Sequence, residues 1–181
     1  MVLEKLVKEM VDASGRFRSV LYKSVTMLVG AALFLIVVPL LLLLTSYGIE
    51  KFILSHQFRI LQLILGLLSV AYGFFILVWS VLSQLRNGQG TPVPVAPTQK
   101  LIADGPYLKR RNPMLLGAII YCFGVGTILD SITTGLIMFF LSLIFGTCYV
   151  KFIEEKELQI RFGKEYEEYR EKTPFLIPRF L

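Results

Sequence analysis

The strongest constraint on this chain is a set of long stretches that contain no charged side chain. Residues 25–47 read VTMLVGAALFLIVVPLLLLLTSY, and residues 60–84, 114–129 and 131–150 are equally free of Asp, Glu, Lys and Arg. A helix needs about 20 mostly apolar residues to cross the hydrocarbon core of a bilayer. The pattern therefore predicts an all-α, multi-span transmembrane helical bundle with four long spans.

The composition excludes an ordinary soluble domain. Hydrophobic residues make up 55% of the 181-residue chain, and the mean hydropathy is +0.66, which is too apolar for that class. The N-terminal residues carry both signs of charge and the first apolar run is long, so no cleaved signal peptide is expected. Cys122 and Cys148 fall within predicted spans, away from the single histidine, His56. We therefore expect neither a disulfide nor a metal site.

Basic residues are distributed unevenly around the four spans. Of the 19 Lys and Arg residues, 17 precede residue 25, lie within 85–113 or follow residue 150. Because cytoplasmic loops of membrane proteins are enriched in Lys and Arg, both termini and the 85–113 loop are expected in the cytosol. The membrane would be the plasma membrane of a prokaryote or an ER-type membrane. This distribution argues against nucleic acid as a partner.

The segments outside the spans also show helical patterns. Residues 1–24 have the apolar spacing of an amphipathic helix, which would be interfacial or a fifth, N-terminal helix. Residues after 150 are polar, with oppositely charged pairs four positions apart. They predict a cytosolic C-terminal helical extension that Gly163 interrupts and Pro174 ends.

The spans contain residues that control helix geometry and approach. Pro39 is expected to kink the first span because proline cannot donate a backbone hydrogen bond. The turn at Asp130 predicts a tight hairpin of spans three and four, with Ser131 or Thr133 as the helix cap. Close helix packing is one interpretation of the glycines in this hairpin, and room for a flat ligand is the other. These glycines are Gly117, Gly124, Gly126, Gly135 and Gly146.

A basic cluster stands at the start of the third span. Arg110 and Arg111 precede Asn112-Pro113, a pair that favours the N-cap and the first position of a helix. The free N–H groups and positive dipole end of such a helix, beside two arginines, suit a carboxylate or phosphate. Anchoring at anionic lipid headgroups is the alternative.

A pair of carboxylates, Glu154 and Glu155, lies just beyond the fourth span. In a helical hairpin the start of one helix and the end of the next lie side by side, so these acids should meet the basic cluster. Carboxylates beside an anion-binding helix end would suit a zwitterion that carries an amine and a carboxylate. The sequence therefore predicts a small-ligand site at the cytosolic end of this hairpin.

Four motifs in the C-terminal half are GQGTPVP, LIADGPYLKRRNPMLLG, EEKEL..RFGKEYEEY and PRF. Together they resemble the membrane methyltransferases related to isoprenylcysteine carboxyl methyltransferase and the phospholipid N-methyltransferases, over about residues 88–180. The resemblance implies a multi-span helical enzyme that holds S-adenosylmethionine in a cytosolic pocket partly closed by the C-terminal segment. A lipophilic or lipidated acceptor would enter from the bilayer lipid. The chain would be one integral membrane domain, with an interfacial segment at 1–24, two spans within 25–84 and a cofactor-binding catalytic core at 85–181.

The resemblance also implies roles for individual residues. Lys100, Leu101 and Ile102 would line the cofactor. Tyr107 would close over it, and Glu154 would meet the amino group of its methionine part. The floor would be formed by four consecutive residues, Asn112, Pro113, Met114 and Leu115.

Departures from the isoprenylcysteine pattern bear on the methyl acceptor. Those enzymes usually have His at the position of Asn112 and an aromatic residue at that of Leu115. They also carry an arginine for the substrate carboxylate where this chain has Val150, followed by Lys151. A carboxylate acceptor needs no base, whereas an amine must first lose a proton, so the absence of a nearby histidine favours a carboxylate. Catalytic residues stay unassigned, and the positioning candidates are Tyr107, Glu155 and Lys151.

Three alternatives remain open at this point. A phospholipid N-methyltransferase would methylate an amine. An NADPH-dependent membrane reductase of sterol-reductase-like architecture would use Arg110 and Arg111 for the 2′-phosphate. A non-catalytic membrane protein would only bind anionic lipid through its basic face.

Overall fold

All the regular secondary structure in the described part of the chain is helical. The computed structural model describes Lys5 and residues 20–50, 59–88 and 98–177, and no strand occurs in these ranges. The α-helices are α1 (Val20–Ala32), α2 (Val38–Glu50), α3 (Arg59–Asn87), α4 (Pro113–Leu129), α5 (Ile132–Tyr149), α6 (Glu155–Phe162) and α7 (Lys164–Lys172). The shorter elements are π-helices at Leu33–Val37 and Val150–Glu154 and a 3-10 helix at Gly105–Leu108. The predicted all-α class is confirmed.

Three continuous helical stretches are long and apolar enough to cross a membrane, namely Ser24–Ser46, Arg59–Asn87 and Ile132–Phe162. The remaining predicted span is α4, which begins at Pro113 as expected and has 17 residues. It is about 25 Å long at 1.5 Å per residue, against a hydrocarbon core of about 30 Å. The chain is therefore an integral membrane protein with three long candidate spans, and the shorter helix α4 lies at the predicted third span.

Several predicted segments fall outside the described residues. They are most of the amphipathic segment 1–24, residues 89–97 with part of the GQGTPVP motif, and the PRF motif at 178–180. The described chain divides into two compact units. The first unit comprises Met1–Gly30, Val78–Pro113 and Cys148–Leu181, and the second comprises Ala31–Leu77 and Met114–Thr147.

Close helix packing accounts for the glycines of the hairpin in the second unit. A Cβ atom on Gly73 of α3 would lie 2.6 Å from the backbone nitrogen of Tyr121 on α4. A Cβ atom on Gly146 of α5 would lie 2.3 Å from Leu115 Cδ1. Similar approaches join three glycine pairs, Gly117 with Gly73, Gly124 with Gly66, and Gly126 with Gly135. Neighbouring helices fill these positions, which favours packing over room for a flat ligand.

The turn between α4 and α5 is closed by side-chain hydrogen bonds. The N–H of Thr134 donates to Ser131 Oγ at 3.1 Å, which confirms Ser131 as the cap of α5. From α3, Gln62 Nε2 donates to the carbonyl oxygens of Thr127 and Asp130, each at 2.7 Å. Carbonyl groups at a helix end have no partner within the helix, so Gln62 supplies donors that α4 itself lacks.

The first span departs from regular α-helical hydrogen bonding next to Pro39, whereas the kink expected there stays a prediction. The segment Leu33–Val37 just before it is a π-helix. In an α-helix the residue at position 39 would donate to the carbonyl of Leu35, but proline has no N–H to donate. That carbonyl instead accepts a hydrogen bond from the Tyr121 hydroxyl at 3.3 Å. A side chain of α4 thus supplies a hydrogen-bond donor to the turn in which Pro39 has none.

The C-terminal extension in the first unit contains the two predicted breaks. Gly163 has a φ of 52° and separates α6 from α7, a backbone conformation that L-residues with a side chain rarely adopt. Helix α7 ends at Lys172, and Thr173 is extended, as expected for the residue before Pro174. The π-helix Val150–Glu154 joins α5 to α6 without interruption, so the helical extension continues directly from the predicted fourth span.

Candidate functional site

The predicted site residues divide between the two units. Met114 and Leu115 belong to the second unit, where Leu115 occupies the space left by Gly146. The first unit holds all the charged and aromatic candidates. All the candidates that lie in the first unit are Lys100, Leu101, Ile102, Tyr107, Asn112, Pro113, Lys151, Glu154 and Glu155.

Tyr107 is buried and held by hydrogen bonds at both its hydroxyl and its carbonyl. The side chain is 7% exposed, its hydroxyl accepts a hydrogen bond from Gln84 Nε2 at 2.5 Å, and its carbonyl accepts one from the Tyr169 hydroxyl at 2.7 Å. Burial, and then the negative charge of Glu154, raise the pKa of Tyr107 well above its ordinary value. The phenol therefore stays protonated and cannot serve as a base near neutral pH.

The tyrosines of α7 have the same limitation. Tyr166 is 1% exposed, and burial followed by the charge of Glu155 raises its pKa to about 12. Burial also raises the pKa of Tyr169. These phenols can donate hydrogen bonds in the first unit, but they cannot take a proton from a substrate near neutral pH.

The backbone at the start of α4 is bonded to the C-terminal strap, which we define as residues 173–177. The N–H of Arg111 donates to the carbonyl of Pro174 at 2.9 Å, and the N–H of Asn112 donates to that of Phe175 at 3.2 Å. The side-chain nitrogen of Asn112 also donates to the Phe175 carbonyl at 3.3 Å. Since the strap uses these N–H groups, an anion at this helix start would have to be bound by other donors.

Arg111 and Glu155 form a shielded ion pair. Nη1 of Arg111 lies 2.8 Å from Oε1 of Glu155, and the two side chains are 13% and 17% exposed. The same guanidinium lies 5.8 Å from the centroid of the Phe175 ring. The pair confirms that the basic cluster meets the acids beyond the fourth span. It also gives Glu155 a cation of its own.

Glu154 has a different environment from its neighbour. It is the last residue of the π-helix, is partly buried, and lies close enough to Tyr107 for its charge to act on that phenol. No residue in the described part of the chain forms an ion pair with it. A partly buried carboxylate without a cation fits the ammonium group that the resemblance assigns to it.

Lys151 lies one turn before Glu154 and is exposed. Its Nζ is 5.5 Å from the centroid of the Phe175 ring, so the strap carries an aromatic ring that is close to both Lys151 and Arg111. Such cation–π contacts hold a ring in place while the ammonium keeps its access to solvent. The positioning role expected of Lys151 stays a prediction.

The three loop residues that the resemblance assigns to the cofactor differ in exposure. Lys100 is exposed, Leu101 is half-buried and Ile102 is buried. Just before them, the N–H of Gln99 donates to the carbonyl of Gly88 at 2.6 Å. The start of the loop is therefore bonded to the residue that follows α3.

Sequence reasoning did not identify two residues of this site, Gln84 and Phe175. Gln84 ends an uncharged stretch, and nothing in the spacing indicates a bond to Tyr107, which lies 23 positions further on. For Phe175 the available signal was Pro174. That proline predicted the end of α7 but not the path of the chain beyond it.

Comparison with family models identifies the family of the chain. A family model described as phospholipid methyltransferase matches residues 61–165 of the 181-residue chain, including Gln84, Tyr107 and Glu154. A search of the curated proteins and of the solved structures found no match. The match covers more than half of the chain and the elements that carry the charged candidates. The chain therefore belongs to the phospholipid methyltransferase family and is an integral membrane methyltransferase.

Proposed function

We propose that this protein transfers a methyl group from S-adenosylmethionine to a lipophilic carboxylate acceptor that enters from the bilayer, as in isoprenylcysteine methylation. Membership of a methyltransferase family supports the reaction type. The observation that carries the cofactor assignment is the Glu154 carboxylate, which lies beside Tyr107 and has no cation partner in the described chain. Both termini and the site would face the cytosol, following the distribution of basic residues.

In this proposal Glu154 binds the ammonium group of the cofactor through a charge-assisted hydrogen bond. Lys100, Leu101 and Ile102 contact the cofactor from the loop. The hydrogen bond from Gln84 to the Tyr107 hydroxyl holds the backbone at residue 107 in place. The bound cofactor supplies a methyl group already activated by its sulfonium. The protein then needs only to orient the acceptor and exclude water.

A carboxylate acceptor agrees with the protonation of the site. The buried tyrosines keep their protons, and Glu155 is engaged by Arg111. A carboxylate is already nucleophilic and requires no base. In the proposal the exposed ammonium of Lys151, in the π-helix that follows α5, attracts the acceptor's negative charge.

A phospholipid amine is the second candidate acceptor, favoured by the description of the family model. Such an amine must lose a proton before it attacks the methyl group, and the buried tyrosines cannot take it. An NADPH-dependent reductase is less well supported, because Arg111 is paired with Glu155 and only Arg110 of the basic cluster is left for a 2′-phosphate.

The acceptor can be identified with methyl-labelled S-adenosylmethionine and a native lipid extract. We expect a labelled lipid that releases its label as volatile methanol on mild alkaline hydrolysis, since esters are cleaved and N-methyl groups are not. A label that survives alkali would replace the carboxylate with the amine acceptor. If no lipid is labelled and calorimetry shows no binding of S-adenosylhomocysteine, the proposed function is wrong.

A further inference from the structure

The start of the loop at residues 98–104 is held by an arginine from α6. Nη1 of Arg161 lies 2.8 Å from Oε1 of Glu157, one turn earlier on the same helix. The other terminal nitrogen of Arg161 donates to the carbonyl oxygen of Thr98. One guanidinium therefore joins helix and loop, with one arm on a carboxylate and the other on a backbone carbonyl.

This contact is shielded from water. The Arg161 and Glu157 side chains are 12% and 11% exposed, and the guanidinium carbon lies 4.9 Å from the centroid of the Phe162 ring. Surface ion pairs contribute little to stability and are easily replaced by solvent. A shielded pair with both arms of the arginine engaged fixes geometry more strongly, because its fork accepts few arrangements.

The other side of the same loop start is fastened to the end of α3. The N–H of Gln99 donates to the carbonyl of Gly88 at 2.6 Å, and the N–H of Gly88 donates to that of Gln84 at 2.8 Å. A Cβ atom on Gly88 would lie 2.6 Å from Thr98 Cγ2, so the glycine lets the threonine pack directly on this backbone. Gln84 is also the residue that binds the Tyr107 hydroxyl.

We propose that Arg161, oriented by Glu157, is a positioning residue that fixes the loop for cofactor binding. The inference rests on the proposed function. Thr98 lies two positions before Lys100, so the two fastenings hold the backbone from which Lys100, Leu101 and Ile102 extend. When the bond to Arg161 is lost, Thr98 is no longer tied to α6, and more of the ordering of the next residues must be supplied by the cofactor itself.

The substitution Arg161→Lys provides a graded test because the lysine side chain differs from arginine in shape but not in charge. Its single ammonium carries the same charge but lacks the planar fork that reaches two acceptors at once. Arg161→Lys should therefore retain either the bond to Glu157 or the bond to Thr98, and bind cofactor with an affinity between those of the wild type and Arg161→Met. The matched control is Arg170→Met on α7, since Arg170 is exposed.

The experiment measures S-adenosylhomocysteine affinity by calorimetry, together with steady-state kinetics, on detergent-solubilised full-length protein. For Arg161→Met we expect affinity to fall and the cofactor KM to rise by about tenfold or more, as for misplacement of a site by a remote change. We expect kcat and the acceptor KM to change much less. Arg170→Met should behave as the wild type, and Glu157→Gln should reproduce part of the Arg161→Met effect.

The outcomes separate this inference from the proposed function. If the wild type does not bind S-adenosylhomocysteine, both the proposed function and this inference are wrong. If the wild type binds and Arg161→Met binds equally well at an unchanged melting temperature, the inference alone is overturned. A uniform loss of melting temperature, kcat and all binding that Arg161→Lys does not relieve would also overturn it, because it would indicate a purely structural role.

Discussion

Glu154 and Glu155 are neighbours in sequence with different partners, and they should respond differently to substitution. Glu155 is paired with Arg111, whereas Glu154 has no cation among the described residues. We expect Glu154→Gln to weaken S-adenosylhomocysteine binding at least about tenfold, the value of a hydrogen bond to a charged group, with little change in melting temperature. Calorimetry and thermal unfolding in detergent measure the two quantities.

Two further variants serve as controls for this prediction. Glu165→Gln removes the same charge at an exposed position on α7 and should alter neither quantity. Glu155→Gln should lower stability by about 1–3 kcal/mol, because it leaves the shielded Arg111 without its anion. If Glu154→Gln binds the product as tightly as the wild type, Glu154 does not hold the ammonium group.

We expect the titration of the buried Tyr166 to lower the free energy of unfolding at high pH. Its pKa is raised by burial to about 12, whereas an unfolded tyrosine titrates near pH 10. Below pH 10 both states are protonated, so Tyr166 adds no pH dependence. Between about pH 10 and 12 only the unfolded state loses the proton, and the free energy of unfolding falls. Thermal unfolding from pH 8 to 11 should show a smaller loss above pH 10 in Tyr166→Phe, and equal slopes for the two proteins would contradict this.

At the site, the sequence could identify residue types and their approximate location but not their pairing. Arg111 and Glu155 were expected to meet because a hairpin brings their helix ends together, and they do. The use of the Arg111 and Asn112 N–H groups by the strap could not be read from the sequence, since it depends on where residues 174 and 175 turn after α7. Backbone carbonyls carry no compositional signal.

At the scale of helices, glycine contacts in the second unit predict sensitivity to a single methyl group. We expect Gly73→Ala to lower stability by about 1–3 kcal/mol through overpacking, because its Cβ would lie 2.6 Å from the backbone nitrogen of Tyr121 and 2.7 Å from the carbonyl oxygen of Gly117. Thermal unfolding in one detergent measures the effect. Ala71→Ser also adds one heavy atom on α3 but at an exposed position, and an equal loss there would contradict the packing explanation.

The helices themselves were largely predictable, and their irregularities only in part. Charge-free stretches and Pro113 located the spans, and Gly163 and Pro174 located the breaks of the extension. The π-helix Val150–Glu154 was not predicted, because a change from apolar to polar residues does not show whether the backbone hydrogen bonds keep their α-helical spacing. Helical hydrogen bonding continues across a change of polarity, since the backbone is the same on both sides of it.

For the whole molecule, the distribution of basic residues predicts orientation in the membrane. In a background with Cys148 replaced by serine, Lys109→Cys should be protected from a membrane-impermeant maleimide added outside intact cells, and Leu129→Cys should be labelled. Both positions are exposed and lie at opposite ends of the segment containing α4. The measurement is gel-shift labelling before and after lysis. The reverse pattern would place the basic residues outside the cell.

The hydrogen bond between Tyr121 and the Leu35 carbonyl also constrains how this protein can change over evolutionary time. Pro39 has no N–H to give to this turn, and the Tyr121 hydroxyl donates to a carbonyl in it, so we expect the cost of Tyr121→Phe to depend on whether the proline is still present. If Pro39 is replaced by alanine first, the later loss of the hydroxyl becomes neutral. If the hydroxyl is lost first, the Leu35 carbonyl loses its side-chain donor in a turn to which the proline gives none, and the intermediate is destabilised by about 1–3 kcal/mol. We therefore expect substitution of Pro39 to precede loss of the Tyr121 hydroxyl, and not to follow it.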